Sequence, residues 1–256
     1  MYKLNYSLTA ILAAISCMTL ALTSCSKTYT VEGQSSITAL DGSKLYLKTI
    51  EDNELKKIDS CEVIHGKFEF NGNLDTIRIA TLYMDDESIM PVVLEDGAIK
   101  VNIDNTGRRV SGTPMNEVLY EFLDKINQLN NKRNELSHQH TQMLLDGMPE
   151  HDANQAIAIE AAKISEEEDK LVMKYITENF DNVVGPGIFM MLTSGFPYPV
   201  LTPQIEHIMS RSTEKFKNDP YVKDYYRTAQ ENETKLQGLA PESIDEQPAD
   251  SIPSAK

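Results

Sequence analysis

The stretch Ile58-Asp59-Ser60-Cys61-Glu62-Val63-Ile64-His65-Gly66-Lys67-Phe68-Glu69-Phe70-Asn71-Gly72 decides how this chain folds. In Lys67-Phe68-Glu69-Phe70 the two phenylalanines share one face and the two charges share the other, the alternation of a half-buried strand. His65-Gly66 just ahead supplies a turn, with Gly66 at the positive-φ corner of a hairpin. Asp59 and Ser60 read as groups that cap a turn or bond neighbouring backbone. A nucleophilic serine needs a base within reach, and none is identified here, although His65 stands only five residues on.

Outward from this hairpin the same short alternation continues. Candidate strands cover 29–37, 44–49, 57–63, 67–71, 76–84, 91–95, 98–103 and 108–110. Leu45 and Leu47 oppose Lys44, Tyr46 and Lys48 in the second of them. Asp41-Gly42, His65-Gly66, Asn71-Gly72, Asp96-Gly97 and Asn105-Thr106-Gly107 are read as breaks that supply positive-φ positions. Short strands with turns this close together predict an antiparallel β-sandwich or barrel. At Thr113-Pro114 the period changes: Thr113 is a good N-cap and Pro114 a good first helical residue. A helical stripe then runs through Val118, Leu119, Phe122, Ile126, Leu129 and Leu136 to Gly147-Met148-Pro149. A second long helix is expected from about 153 to 180, making a helical hairpin with the first. A broken segment around Gly185-Pro186-Gly187 and a short apolar run, 188–192, follow. Thr202-Pro203 and Asp219-Pro220 open helices near 203–211 and 220–236. The expected fold class is α+β: a β-sandwich or barrel domain at 29–113, then a mostly helical domain at 114–237.

The hairpin stretch resembles the D-S-x-x-V-x-x-G-K-F-x-F-x-G core of a domain of unknown function. That domain lies in front of thioredoxin-like domains in Bacteroides-type thiol–disulfide oxidoreductases. Further pieces match in order: Tyr29-Thr30-Val31-Glu32-Gly33, Asp41-Gly42 with Leu45-Tyr46-Leu47, Pro91-Val92-Val93-Leu94-Glu95-Asp96-Gly97, and Val110-Ser111-Gly112-Thr113-Pro114-Met115-Asn116. The resemblance covers roughly residues 29–120 and implies a fold, not a mechanism. In those oxidoreductases a helical insert follows, and the thioredoxin-like domain then opens with G-x-x-A-P. Gly238-Leu239-Ala240-Pro241 is similar to that phrase, but the residues after it are an acidic, Pro- and Ser-rich tail. The tail, 238–256, is expected to be disordered.

The first 24 residues have the layout of a secretory signal: Lys3, a short apolar run, then small residues before Cys25. Leu22-Thr23-Ser24-Cys25 resembles the lipobox of bacterial lipoproteins. That resemblance implies removal of 1–24 and acylation of Cys25, leaving 25–28 as a lipid-anchored linker. Several acyl chains, at roughly 0.8 kcal/mol per buried methylene, hold far better than one. Some lipoproteins of Bacteroides-like bacteria carry acids just after the cysteine as a surface-display signal. Ser26-Lys27-Thr28-Tyr29-Thr30 has none, which points to the bacterial cell envelope, at the outer membrane and facing the periplasm.

Composition narrows the functional classes. The chain has 39 acidic and 24 basic residues and a net charge of −15, which repels nucleic acid and anionic lipid headgroups. Tryptophan is absent, which argues against a sugar-stacking cleft, although eleven tyrosines remain. Of three cysteines, Cys17 leaves with the signal, Cys25 takes the lipid, and Cys61 stands alone, with no C-x-x-C pair for redox work. Cys61 reads as a small buried strand residue. His138-Gln139-His140, two residues apart on a helix, point to different faces and read as solvent-exposed rather than metal-binding. Glu166-Glu167-Glu168-Asp169 reads as the wet face of a helix, not a calcium loop. No catalytic set, metal site or cofactor site is assigned. Gly195-Phe196-Pro197-Tyr198-Pro199 is the most site-like stretch, with Phe196 and Tyr198 as candidate binding-loop residues. The expected function is a non-catalytic binding or scaffold role on a lipid anchor. The alternatives are an accessory to a thioredoxin-like partner in a thiol–disulfide system, and an enzyme with dispersed active-site residues.

Overall fold

The computed structural model describes residues 27–51 and 54–238. The expected signal 1–24, Cys25 with its expected lipid attachment, and the expected tail beyond 238 lie outside the described residues. The chain divides into two compact units after Tyr120, and the architecture is α+β.

The first unit holds eight strands: β1 (Thr28–Ser35), β2 (Lys44–Glu51), β3 (Glu54–Glu62), β4 (Lys67–Asn73), β5 (Arg78–Met84), β6 (Glu87–Leu94), β7 (Gly97–Ile103) and β8 (Arg108–Ser111). They form two four-stranded sheets, ordered β4-β1-β7-β8 and β3-β2-β5-β6. Alternation is what builds the core. Leu45, Leu47, Phe68, Phe70, Ile99 and Val101 are buried, while the residues between them are partly or fully exposed. One pairing departs from the antiparallel expectation: β1 runs parallel to β7, with Tyr29 opposite Gly97 and Ser35 opposite Ile103. The chain leaves the first sheet after β1 for β2 and β3, returns antiparallel beside β1 as β4, leaves again for β5 and β6, and comes back on the other side of β1, in the same direction, as β7.

The motif glycines do different jobs. His65 and Gly66, at φ 51° and 72°, form the two-residue turn between Ile64 and Lys67, whose backbones exchange two hydrogen bonds. Gly72 was expected at a break with positive φ, but it lies within β4 with no positive φ. A Cβ there would come within 2.6 Å of the Tyr29 hydroxyl, so it is glycine because a ring lies across it. Gly107 also lacks positive φ. Its turn is held by Asp104, whose Oδ1 accepts from the Thr106 and Gly107 amides at 2.7 and 2.9 Å.

Helix α1 (Pro114–Leu145) begins in the β unit, and its first two turns belong there. Thr113, expected as the side-chain N-cap, plays a different part. Its hydroxyl accepts from the Asn116 side chain, Nδ2, at 2.8 Å, while Glu95 from the end of β6 takes the helix-start backbone amides of Met115 and Asn116 at 2.8 and 3.0 Å. A carboxylate suits that position, because the first-turn N–H groups lack partners and carry the positive end of the helix dipole.

In the second unit α1 continues and is followed by α2 (Glu150–Glu178), α3 (Val184–Thr193), α4 (Pro203–Arg211), α5 (Glu214–Lys217) and α6 (Pro220–Gly238). The hairpin of α1 and α2 is antiparallel. Phe122 meets Tyr175, Lys132 meets Glu167, and His140 meets Asn154, so numbers fall along α2 as they rise along α1. Leu129, Leu136 and Ile164 close the seam. The segment expected to be broken at Gly185-Pro186-Gly187 is instead the start of α3. Pro186 sits in the first turn, where an amide needs no intrahelical partner. The Asn182 side chain accepts from the Val184 amide at 2.8 Å, and a Cβ on Gly185 would strike the Asn179 carbonyl. Thr202 and Asp219 cap α4 and α6 through their side chains, as their spacing predicts.

Candidate functional site

The residues with the strongest chemistry in the sequence are placed apart. Ser60 lies within β3, and its amide is taken by the Asp59 carboxylate at 2.7 Å. His65 is in the exposed turn that ends the hairpin. Cys61 is half-buried, opposite Leu45 in the sheet, and burial pushes its thiol up to about 11. A thiol so raised is protonated at neutral pH and is a poor nucleophile. Alkylation of Cys61 by iodoacetamide at pH 8 is therefore expected to run ~100-fold slower than that of an unperturbed thiol, from the thiolate fraction alone. The rate is expected to keep rising with pH until about 11, as followed by mass spectrometry. A plateau near pH 9 would contradict this placement.

His140 Nε2 hydrogen-bonds the Asn154 side chain at 2.7 Å across the helical hairpin, and His138 is exposed. The acidic run is more engaged than a wet helix face. Glu167 and Glu168 pair with Lys132 and Arg133 of α1 at 3.1 and 2.5 Å, and Asp169 accepts from Gln204 of α4 at 3.2 Å. Such exposed pairs contribute little each, so they set the register of the helices more than their stability.

The loop at 194–202, between α3 and α4, holds the predicted aromatic pair. Phe196 is half-buried and Tyr198 is 51% exposed. The loop is stiff for reasons on both sides of it. Pro197 and Pro199 restrict the backbone from within. From α6, the Tyr225 hydroxyl accepts from the Val200 amide at 3.1 Å and lies 3.2 Å from its carbonyl, to which it can donate. Asn232 donates to the Pro199 carbonyl at 3.0 Å, and Phe196 donates its amide to the Thr193 carbonyl at 3.2 Å. Behind this lie Phe189, Phe216, Tyr221 and Tyr225, stacked largely edge to face, with Phe189 wholly buried. Burial holds the Tyr225 hydroxyl above the usual phenol range, so it stays protonated and able to donate.

Tyr225 and Asn232 are residues that sequence reading missed. Their positions on one helix were legible, but which backbone they hold is set thirty residues away. What the loop offers chemically is an aromatic ring with a polar tip, held out from the surface on restrained backbone. Such a group binds with little loss of conformational freedom.

Residues 29–119 match the model of a family described as Domain of unknown function (DUF4369), so the chain carries that domain. The match runs from β1 into the second turn of α1 and ends one residue short of the division between the units. No curated protein and no solved structure matches the chain.

Proposed function

We propose that this protein is a lipid-anchored component of a bacterial cell envelope whose role is to hold a partner and not to turn over a substrate. The observation that carries the binding role is Tyr198, half-exposed on a loop restrained by Tyr225, Asn232 and two prolines. Preorganised aromatic side chains of this kind are the usual energetic centres of protein interfaces. The anchor reading is supported by the Leu22–Cys25 pattern behind a short apolar run. Among the described residues, no helix is long and apolar enough to cross a membrane.

The test uses the full chain in its native membrane. A palmitate analogue is expected to label the protein, and Cys25→Ala to abolish the label. A photo-crosslinker placed at Tyr198 is expected to capture a protein. Phe196→Ala combined with Tyr198→Ala is expected to lose that partner in pull-downs. Tyr198→Ala alone should cost under about 0.5 kcal/mol of stability, as at other exposed positions. Unchanged capture after both substitutions, or turnover of a substrate by the purified protein, would overturn the reading. Capture of a thioredoxin-like protein would identify the accessory role that the family resemblance implies.

A further inference from the structure

The lipid anchor, taken as read, has a consequence for how the β unit meets the membrane. Ser26 and Lys27 alone separate Cys25 from β1. Three extended residues span about 11 Å, so the first strand of the core stands no further than that from an acylated cysteine. The strand registers show what else lies at this pole of the unit. Thr28 is opposite Asn73 and Tyr29 opposite Gly97, and the Leu74 amide donates to the Lys27 carbonyl at 2.9 Å. Two short links, 74–77 and 95–96, lead from here to the same end of the second sheet, where Arg78 is opposite Leu94 and ion-pairs with Glu51. Glu51 and Glu54 end the β2–β3 hairpin, and the next pair inward is Ile50 opposite Leu55. These two aliphatic side chains are 56% and 50% exposed. The first turns of α1 leave this pole: Asn116 bonds Val93 of β6 and Tyr120 bonds Pro91, further along the strand. The His65-Gly66 and Asp104–Gly107 turns lie at the opposite pole, beside Lys67 and Ile103.

The geometry points to this pole as a membrane-docking face, on which Ile50 and Leu55 enter the headgroup–acyl boundary of the bilayer that holds the Cys25 lipid. A tether alone leaves the unit free to tumble. A second, apolar contact at the same pole fixes which way it faces, because aliphatic side chains left in water gain by burial at that depth. Exposed Lys27 stands at the same pole, together with the carboxylates of Glu51, Glu54 and Asp96.

The inference rests on the anchor reading, and the experiment separates the two. Full-length protein acylated in cells, in a Cys61→Ser background, is returned to vesicles of phosphatidylethanolamine and phosphatidylglycerol containing doxyl lipids. An environment-sensitive probe is placed at Leu55→Cys, His65→Cys or Thr106→Cys. Emission at 55 is expected to fall about twofold, since quenchers at the acyl boundary reach only a probe at that depth. Emission at 65 and 106 is expected to stay unchanged. Ile50→Asp is expected to return the probe at 55 to the unquenched level. An acylated chain with equal quenching at 55 and 65, or one indifferent to Ile50→Asp, overturns the docking face alone. A chain that carries no acyl label overturns the anchor reading and the docking face with it.

Discussion

Asn116→Ala is expected to lower the stability of the protein by about 3–4 kcal/mol and its melting temperature by roughly 10 °C. Asn116 is wholly buried. Its side chain accepts from the Val93 amide at 2.9 Å and donates to the Val93 carbonyl at 2.7 Å, so it serves β6 as a further strand would. It also donates to Thr113 at 2.8 Å, and its own backbone amide is held by Glu95 at 3.0 Å. Truncation leaves both polar groups of Val93 buried and unpaired. Each such group costs ~1–3 kcal/mol, against a mean of ~1 for an ordinary hydrogen bond lost to water. Asn116→Asp is expected to do worse at neutral pH, since it cannot donate to Val93 and sets a second carboxylate beside Glu95. A double-mutant cycle of Asn116→Ala with Glu95→Gln is expected to be non-additive, because the two groups share one network. Thermal melts monitored by circular dichroism decide it, and a loss under about 1 kcal/mol for Asn116→Ala would show the network to be dispensable.

The second large effect is in the helical unit. Phe189→Ala is expected to cost about 3–5 kcal/mol, the range for truncating a buried aromatic ring. Phe189 makes edge contacts with Phe216, Tyr221 and Tyr225, at centroid distances of 5.7, 6.4 and 5.5 Å, and each such pair adds ~0.5–1.5 kcal/mol beyond burial. The consequence reaches the candidate binding loop. Tyr225 stands on Phe189 and holds Val200, so a cavity at 189 releases the ring that pins the loop. Hydrogen exchange at the Val200 amide is therefore expected to accelerate by more than the global loss of stability accounts for. Phe189→Leu, which keeps most of the volume, is expected to cost less and to leave Val200 better protected. Equal protection of Val200 in the wild type and Phe189→Ala would show that the loop is held by its prolines alone.

These two sites mark the boundary between what a local pattern carries and what it does not. Strands such as β2, β4 and β7 are visible in the sequence, because alternation at a period of two reports one buried face without any knowledge of the partner strand. The caps at Thr202 and Asp219 are equally legible, since a side chain and the amides it accepts lie within three residues. The start of α1 looks the same by that rule, yet its amides are held by Glu95, twenty residues upstream, and no spacing announces that. Gly185-Pro186-Gly187 reads as a break because helix propensity is poor there. It is nonetheless the start of a helix, where the Asn182 side chain takes the Val184 amide and the Asn179 carbonyl leaves room at 185 for glycine alone. Phe196 and Tyr198 stood out as an aromatic pair among prolines, but their stiffness depends on Tyr225 and Asn232 of a distant helix.

By itself, then, the sequence determined the order of the main elements, the change from strands to helices at Thr113-Pro114 and the net acidic charge. All of these are properties of residues and near neighbours. Only the tertiary structure decided that β1 and β7 run parallel, that Gly72 is glycine for the sake of Tyr29, and that Asn116 completes β6. It alone brought Ile50 and Leu55 to the pole where the chain would meet its lipid. The physical reason is the same in each case. Hydrophobic periodicity is one-dimensional and survives in the chain, whereas the partner of a buried polar group or of a close-packed glycine is chosen in space, by whichever distant residue fills the gap.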